Sequence, residues 1–408
     1  MKIIVMNVPG HGHVNPTLPV VQELVEKGVQ VLYYNTEEFR AKISETGAEF
    51  RAYPPTRLTS KSMAHAVNIH LINVTHLLLE TSLSLTVFML DEVAREQPDL
   101  LIFDSICLWG MQAARLSGLL AIASITTFIL EGAKLDLSWR DRWHMIGGAL
   151  PHLPKFSRAR SALIQRYGRA SLPPKHLFPC TGQLNLVYTT PALQPPTRFI
   201  DHSFVFVGPA LPPPSQPLDF AFPAGQVIYI SLGTVHTGNR EFFEQCFVAF
   251  AHLSATFVVA AGPLADQLAP PPNFIVRRHV PQVALLPHVD LFITHAGINS
   301  MHESLYFGVP MVMVPQQMEQ AANARIAAAH GTGVVIGGEP PYGQAVRAEA
   351  LAQAVQEALT TTAYRAAAQR MKDVLQATGG AAHAVETILA FAATQGSIQS
   401  QAGSPTPA

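Results

Sequence analysis

The stretch KIIVMNVPGHGHVNPTLPVVQELVEKGVQVLYYN, residues 2–35, decides the fold. Residues 2–8 form an apolar run, residues 16–27 follow a helical period that stops at Gly28, and residues 29–35 turn apolar again. Strand, helix and strand in that order make a β-α-β unit, which requires a parallel partner strand. Working outward, a second helix over residues 37–47 leads to a strand at 48–53. Strands at 100–105 and 119–125 flank a helix that ends at Gly118, and further strands at 184–190 and 203–209 finish the first half. Pro209, Pro212, Pro213, Pro214, Pro217 and Pro223 then stiffen and extend the chain as a linker. Beyond it the pattern restarts. Strands at 227–232, 256–261, 274–280, 290–294 and 309–315 are interspersed with helices at 240–253 and 319–330, and alanine-rich helices fill 345–393.

This reading predicts an α/β fold with two Rossmann-like, doubly wound parallel-sheet domains facing each other across a cleft. The first covers residues 1–210, a Pro-rich linker 211–225, the second with its C-terminal helices 226–393, and a frayed tail 394–408. Residues 133–181 lose periodicity and read either as an irregular wall over the cleft or as a surface insertion. A chain of 408 residues exceeds the roughly 100–200 of one ordinary domain, in keeping with two.

With 48% hydrophobic and 13% charged residues the chain can bury a large core. Lys+Arg 27 against Asp+Glu 28 leaves a formal charge of −1, which gives no overall electrostatic footprint for nucleic acid or an anionic membrane. Cys107, Cys180 and Cys246 are widely spaced, without CxxC or zinc spacing, and the expectation is a reduced, cytoplasmic protein. No signal peptide is read at Met1, and the greasy stretches 77–90 and 119–130 are interrupted by polar residues, so no membrane span is expected.

In open α/β sheets, ligands bind beyond the carboxyl ends of the strands. The first such loop, PGHGHVNP at residues 9–16, lacks the third glycine of a dinucleotide fingerprint, since Asn15 stands there, and the second strand ends in Asn35 rather than an acid. It offers His13 beside a helix start, either as a proton acceptor or as a cap. Asp104, at the end of the strand 100–103, either orients that imidazole or caps the helix near Leu108. In the second half, HAGINSMHE at residues 295–303 follows a strand, and Asn299 or Ser300 opens a helix whose free N–H groups suit a diphosphate. Ser300-x-x-Glu303 is a capping box in form, and Glu303 also suits ribose hydroxyls. Glu319 and Gln320, beyond the next strand, suit a polyhydroxylated group.

These loops resemble the family 1 glycosyltransferases of GT-B fold, in particular the bacterial macrolide-glycosyltransferase-like branch of UDP-glucosyltransferases. The likeness runs through PGHGHVNPTLPVVQELVEKGVQVLYY and LLIFDS, then VIYISLGT and HVPQVALLPHVDLFITHAGINSMHESLYFGVPMVMVPQQMEQAANA. The resemblance implies that His13 is a general base and Asp104 its orienting carboxylate. It places His295 on the donor diphosphate with Gly297, Asn299 and Ser300, and Glu303 on the ribose. It sets Gln282 and Val283 against uracil and ribose, Gly233 and Thr234 at the first strand's loop, and Glu319 with Gln320 on the sugar. This chain carries His279 where many members have an aromatic residue, and Glu319 where many have Asp.

The implied reaction is inverting transfer of a hexose, glucose, from a UDP-sugar co-substrate to a hydroxyl of a lipophilic acceptor. No metal or other cofactor is expected, because there is no Asp-x-Asp pair. The expected partners are small molecules, with no nucleic acid and no integral membrane association, on a monomer or weak dimer. Phe88, Leu108, Trp109, Phe128, Trp139, Trp143 and Met145 either line an acceptor pocket or belong to the core, and macrolide, polyphenol, sterol and carotenoid acceptors stay open. The rival readings are a catalytically silent nucleotide-sugar-binding partner and a GT-B sugar-nucleotide epimerase or phosphorylase. Retention of both His13 and Asp104 opposes the first, and the segment from His295 to Gln320 opposes the others.

Overall fold

The computed structural model describes the chain apart from residues 134–137, 174–175, 213–216, 223–224, 235–238 and 403–408, and apart from the side chains at 68–69, 144 and 395–402. Pro213, Pro214 and Pro223 of the expected linker lie outside the described residues.

Seven parallel strands form the first sheet: β1 (Lys2–Met6), β2 (Gln30–Asn35), β3 (Glu49–Ala52), β4 (Leu100–Asp104), β5 (Ala121–Ile125), β6 (Leu184–Val187) and β7 (Phe204–Phe206). Their order is β3-β2-β1-β4-β5-β6-β7. Six more form the second: β8 (Gln226–Ser231), β9 (Ala255–Ala260), β10 (Phe274–Arg277), β11 (Leu291–Thr294), β12 (Met311–Met313) and β13 (Gly333–Val335), in the order β10-β9-β8-β11-β12-β13. The winding reverses between β1 and β4 in one sheet and between β8 and β11 in the other. A crevice opens at each such reversal, where neighbouring connections depart to opposite faces.

Alternation along each strand splits the core. Ile3 and Val5 pack on one face of the first sheet with Val20 and Leu24, while Ile4 and Met6 pack on the other with Leu78, Leu85 and Met89. The second sheet does the same with Tyr229 on one face and Ile228 with Ile230 on the other. The helix after β1 starts earlier than its sequence period suggests: His11–Val14 is already helical and leads through a 3₁₀ turn at Asn15–Thr17 into Leu18–Glu26. Pro16 is tolerated because it falls in that 3₁₀ turn, near an N-terminus.

One apolar stretch finds its place and two expectations are corrected. The 77–90 stretch belongs to a long helix, Leu71–Glu96, which has the length and apolar composition of a membrane span but lays Leu78, Leu79, Leu85 and Met89 into the core of the first half. The supposedly irregular residues contain two helices, Trp139–Ala149 and Leu153–Tyr167. The expected frayed tail is helical as far as Ala402, in the helix Gly380–Ala402.

That last helix does not stay with the second sheet. Gly380 N–H donates to the Val207 carbonyl at 2.8 Å, and Ala384, Val385 and Ile388 are buried with Val20, Val21 and Leu24 of the first half. Burying one Val or Ile side chain contributes about 1.5–3 kcal/mol, so the return crossing ties the halves together.

Candidate active site

His13 and Asp104 stand on neighbouring elements because β1 pairs directly with β4 at the first reversal. His13 Nδ1 lies 2.8 Å from Asp104 Oδ2; the Asp104 side chain is fully buried and the His13 side chain is 18% exposed. The second carboxylate oxygen accepts the Ile106 N–H at 2.8 Å, tightening the turn after β4. Cys107, not Asp104, occupies the cap position of the helix Leu108–Ser117, so the alternative of a helix cap is not realised. Thr126, just beyond β5, completes the group: its Oγ1 is 3.1 Å from His13 Nδ1 and donates to Asp104 Oδ2 at 3.4 Å.

A polar layer holds His13 from below. The Asn7 amide donates to the His13 carbonyl at 3.1 Å and to the Tyr33 hydroxyl at 3.0 Å, and Tyr33 meets Thr17 Oγ1 at 2.8 Å. Burial lowers the proton affinity of the His13 ring, but the Asp104 charge and hydrogen bond, with Glu319 contributing, outweigh it and raise the His13 pKa above its ordinary value. Glu319 enters that balance from the second half, so its carboxylate and the imidazole share one electrostatic neighbourhood. The Glu319 pKa is raised by desolvation and pulled back in part by His13.

The loop after β11 is shaped around His295. A Cβ added at Gly233 would stand 2.6 Å from the His295 ring, and one at Gly297 2.5 Å from it, so a side chain at either position would displace the ring. Gly233, φ +73°, turns the chain after β8 and donates its N–H to Ser231 Oγ at 3.2 Å; Thr234 beside it is exposed. Ala296 holds φ 61°, a left-handed conformation that costs a non-glycine residue about 1–2 kcal/mol, and Asn323 Nδ2 secures its carbonyl at 3.2 Å.

Gly297 caps the helix Ile298–Tyr306, with no side-chain cap bond. The Ser300/Glu303 capping box is therefore not formed: Ser300 lies three residues into the helix, and Glu303 is left for other work. The leading N–H groups of this helix, at Ile298, Asn299 and Ser300, have no intrahelical acceptor and direct positive potential into the cleft. Gln282, which opens the short helix Gln282–Leu285 with Val283, donates to Glu303 Oε2 at 2.5 Å and reaches Ser300 Oγ at 3.4 Å. Burial pushes the Glu303 carboxyl up to about 7, against the Gln282 hydrogen bond.

The two halves meet at this loop. Asn299 Nδ2 donates to the Gly12 carbonyl at 3.2 Å, and Thr189 Oγ1 lies 2.8 Å from His302 Nε2, whose pKa burial pushes down to about 4. A small cleft at the junction brings Asn299, His302 and Glu303 opposite Asn15, Pro16 and Tyr188. A second bridge joins the Trp139–Ala149 helix to the other half: buried Asp141 pairs with Arg325 at 3.0 Å and accepts from the Tyr342 hydroxyl.

Several candidates lie elsewhere than a pocket wall. Gln320 is 4% exposed, and its Oε1 accepts the Gln316 N–H at 2.8 Å, which fixes the loop after β12. Leu108 and Trp109 are fully buried; Trp109 Nε1 donates to the Tyr53 hydroxyl at 3.0 Å, so both belong to the core. Phe88 packs edge-on to Tyr34, and Phe128 packs edge-on to His302 at the domain junction. Trp139 and Trp143 are 73% and 74% exposed, and Met145 is exposed as well. Asn7, Thr126 and Thr189 were not singled out from the sequence; each follows a sheet strand, and that position was the available signal. Among the described residues, no group of three or more His, Cys, Asp or Glu side chains is placed to hold a metal ion.

The family model described as UDP-glucoronosyl and UDP-glucosyl transferase matches residues 199–376, which contain the whole second sheet. An uncharacterized UDP-glucosyltransferase of Bacillus subtilis, YojK, is 28% identical over 95% of this chain and 96% of its own. The oleandomycin glycosyltransferase of Streptomyces antibioticus is 27% identical over 86% of this chain and 82% of its own. A crystal structure of the glycotransferase of kitacinnamycin superposes with a TM-score of 0.79 at 27% identity, over 95% of this chain and 97% of that one. Two doubly wound sheets reversing at a shared cleft give the chain the GT-B fold, and along nearly its full length it is similar to family 1 glycosyltransferases of the macrolide-glycosyltransferase-like branch.

Proposed function

We propose that the protein transfers glucose from UDP-glucose, with inversion, to a hydroxyl of a lipophilic natural-product acceptor, His13 acting as general base. The observation that carries this reading is the 2.8 Å contact between His13 Nδ1 and the buried Asp104 carboxylate. It fixes the tautomer and leaves Nε2 to take the acceptor proton. The acceptor oxygen then attacks the anomeric carbon as the bond from that carbon to the diphosphate breaks, and the departing UDP carries the negative charge. The N–H groups opening the Ile298–Tyr306 helix, with His295, stabilise that charge. In this scheme no divalent cation is needed.

Names among the relatives, an oleandomycin and a calicheamicin glycosyltransferase with several UDP-glucosyltransferases, favour a natural-product acceptor and a glucosyl donor. A silent nucleotide-sugar-binding partner would have no use for an imidazole and carboxylate at bonding distance.

The test is UDP release from UDP-glucose with and without a hydroxylated polycyclic acceptor. Release should require the acceptor, persist in EDTA, and fall about 10²–10⁴-fold in His13→Ala with UDP affinity retained. Proton NMR of the product should show the β-anomer. Equal turnover in His13→Ala, or an α-product, would overturn the assignment. Glu319 additionally favours a fully hydroxylated sugar, so kcat/KM for UDP-glucose should exceed that for a dTDP-6-deoxyhexose by about one to two orders of magnitude, since an unpaired acceptor costs about 1–3 kcal/mol.

A further inference from the structure

The Trp139–Ala149 helix is built inside out. Asp141, on its inward face, is fully buried against Arg325 and Tyr342, and Gly148 packs so closely on His70 that a Cβ there would stand 2.5 Å from that ring. Trp139, Trp143 and Ile146 recur every three to four residues, and at 100° per residue they lie opposite Asp141. Their exposures are 73%, 74% and 60%, and Leu150 and Leu153 prolong the stripe at 58% and 45%. The inner face is thus held by specific contacts while the largest apolar side chains stand outside. Contiguous exposed apolar surface of this kind marks an interaction site.

Charge identifies the partner. Residues 139–167 carry Arg140, Arg142, Lys155, Arg158, Arg160 and Arg166 against the single acid Asp141, whereas the whole chain balances 27 cations with 28 acids. Arg140 is paired with Glu339 at 3.4 Å and lies over the Trp139 ring at 5.6 Å. Arg142, Lys155 and Arg158 are exposed and, among the described residues, form no ion pair. Tryptophans on the apolar side of a helix with Arg and Lys beside them have the composition of a helix lying in a lipid headgroup layer.

We propose that residues 139–167 form a docking surface for an anionic lipid membrane, with Trp139, Trp143, Ile146, Leu150 and Leu153 entering the interface and the neighbouring Arg and Lys side chains meeting the headgroups. The near-neutral chain hides this local excess, and the proposal stands on the exposed stripe and its charge independently of the transfer reaction. Bound in this way, the helix whose inner side holds Asp141 and its link to Arg325 lies between the lipid and the second half.

The test uses the full chain in flotation with vesicles of phosphatidylglycerol and phosphatidylethanolamine, with phosphatidylcholine vesicles as control, at 0.1 M salt. The protein should float with the anionic vesicles, with tryptophan emission shifted to the blue, and should be released at 0.5 M salt. Ile146→Asp with Leu150→Asp should lower partitioning at least tenfold, and Arg142→Gln with Lys155→Gln about fivefold per residue. Both variants should keep wild-type UDP affinity and melting temperature, and if the first is unstable the second still decides. Failure to float, equal binding to phosphatidylcholine, or a dimer that the same substitutions dissolve would overturn the proposal.

Discussion

Asn299, in the first turn of the helix Ile298–Tyr306, donates its side-chain amide to the carbonyl oxygen of Gly12, one residue before the imidazole of His13, at 3.2 Å. The loop expected to hold the diphosphate and the turn that carries the proposed base are therefore linked directly. Asn299→Ala leaves the backbone N–H groups of that helix in place and removes only the link. A net hydrogen bond of about 1 kcal/mol corresponds to about fivefold, and that loss should show in kcat, with UDP affinity changing less than twofold by calorimetry. A loss confined to UDP affinity would mean that Asn299 serves the phosphates instead.

Asp104→Asn keeps the shape and removes the charge that raises the His13 pKa. Burial is then opposed only by the smaller pull of Glu319, and the ring's pKa falls from its raised value. The acid limb of kcat/KM should move to lower pH while the plateau falls at least tenfold. Stability follows the same sign. A raised folded-state pKa contributes stability below the unfolded value and loses it as pH rises through the folded one. The melting-temperature gap between wild type and Asp104→Asn should therefore be wider at pH 5.5 than at pH 9.

Glu303 titrates near neutrality, at about 7. Below that pH its carboxyl is protonated and has lost acceptor capacity; above it the carboxylate can accept hydroxyl hydrogens as well as the Gln282 amide. UDP affinity should tighten by about three- to tenfold from pH 6 to 8 in the wild type, and Glu303→Gln should flatten the difference. An unchanged slope in the variant would assign the titration elsewhere, including to the nucleotide itself.

Gly297→Ala isolates the packing of His295. The Gly297 φ of −60° is open to any residue, so the new methyl introduces no backbone strain and acts only through its approach to the ring. UDP affinity should fall about tenfold with a melting change under 2 °C. Gly233→Ala, at φ +73°, should lose affinity and also about 1 kcal/mol of stability.

The sheets and their ligand edges were legible because buried parallel strands read as apolar runs and punctuating glycines end the helices. His13, Asp104 and the 295–303 loop were found through their place after strands, and the structure sets the first two at bonding distance. Less legible were groups whose side chains run against the usual pattern. The Trp139–Ala149 helix buries an acid and exposes its tryptophans, so a reading that assigns apolar positions to the core finds no period there. Gln320 sits beside Glu319 in sequence but turns inward, because consecutive helical residues point about 100° apart. The capping box failed for a local reason: Gly297 and the left-handed Ala296 start the helix earlier than the polar residues suggest.

The return of the helix Gly380–Ala402 to the first sheet also bears on how the two halves can be exchanged between relatives. A chimera cut once, in the Pro-rich connection, would pair a foreign helix with the groove that Val20, Val21 and Leu24 present to Ala384, Val385 and Ile388. The inheritable unit is thus discontinuous. A graft of the first half has to bring its own C-terminal helix, and a tag fused behind Ala402 reports on the half that the chain leaves first.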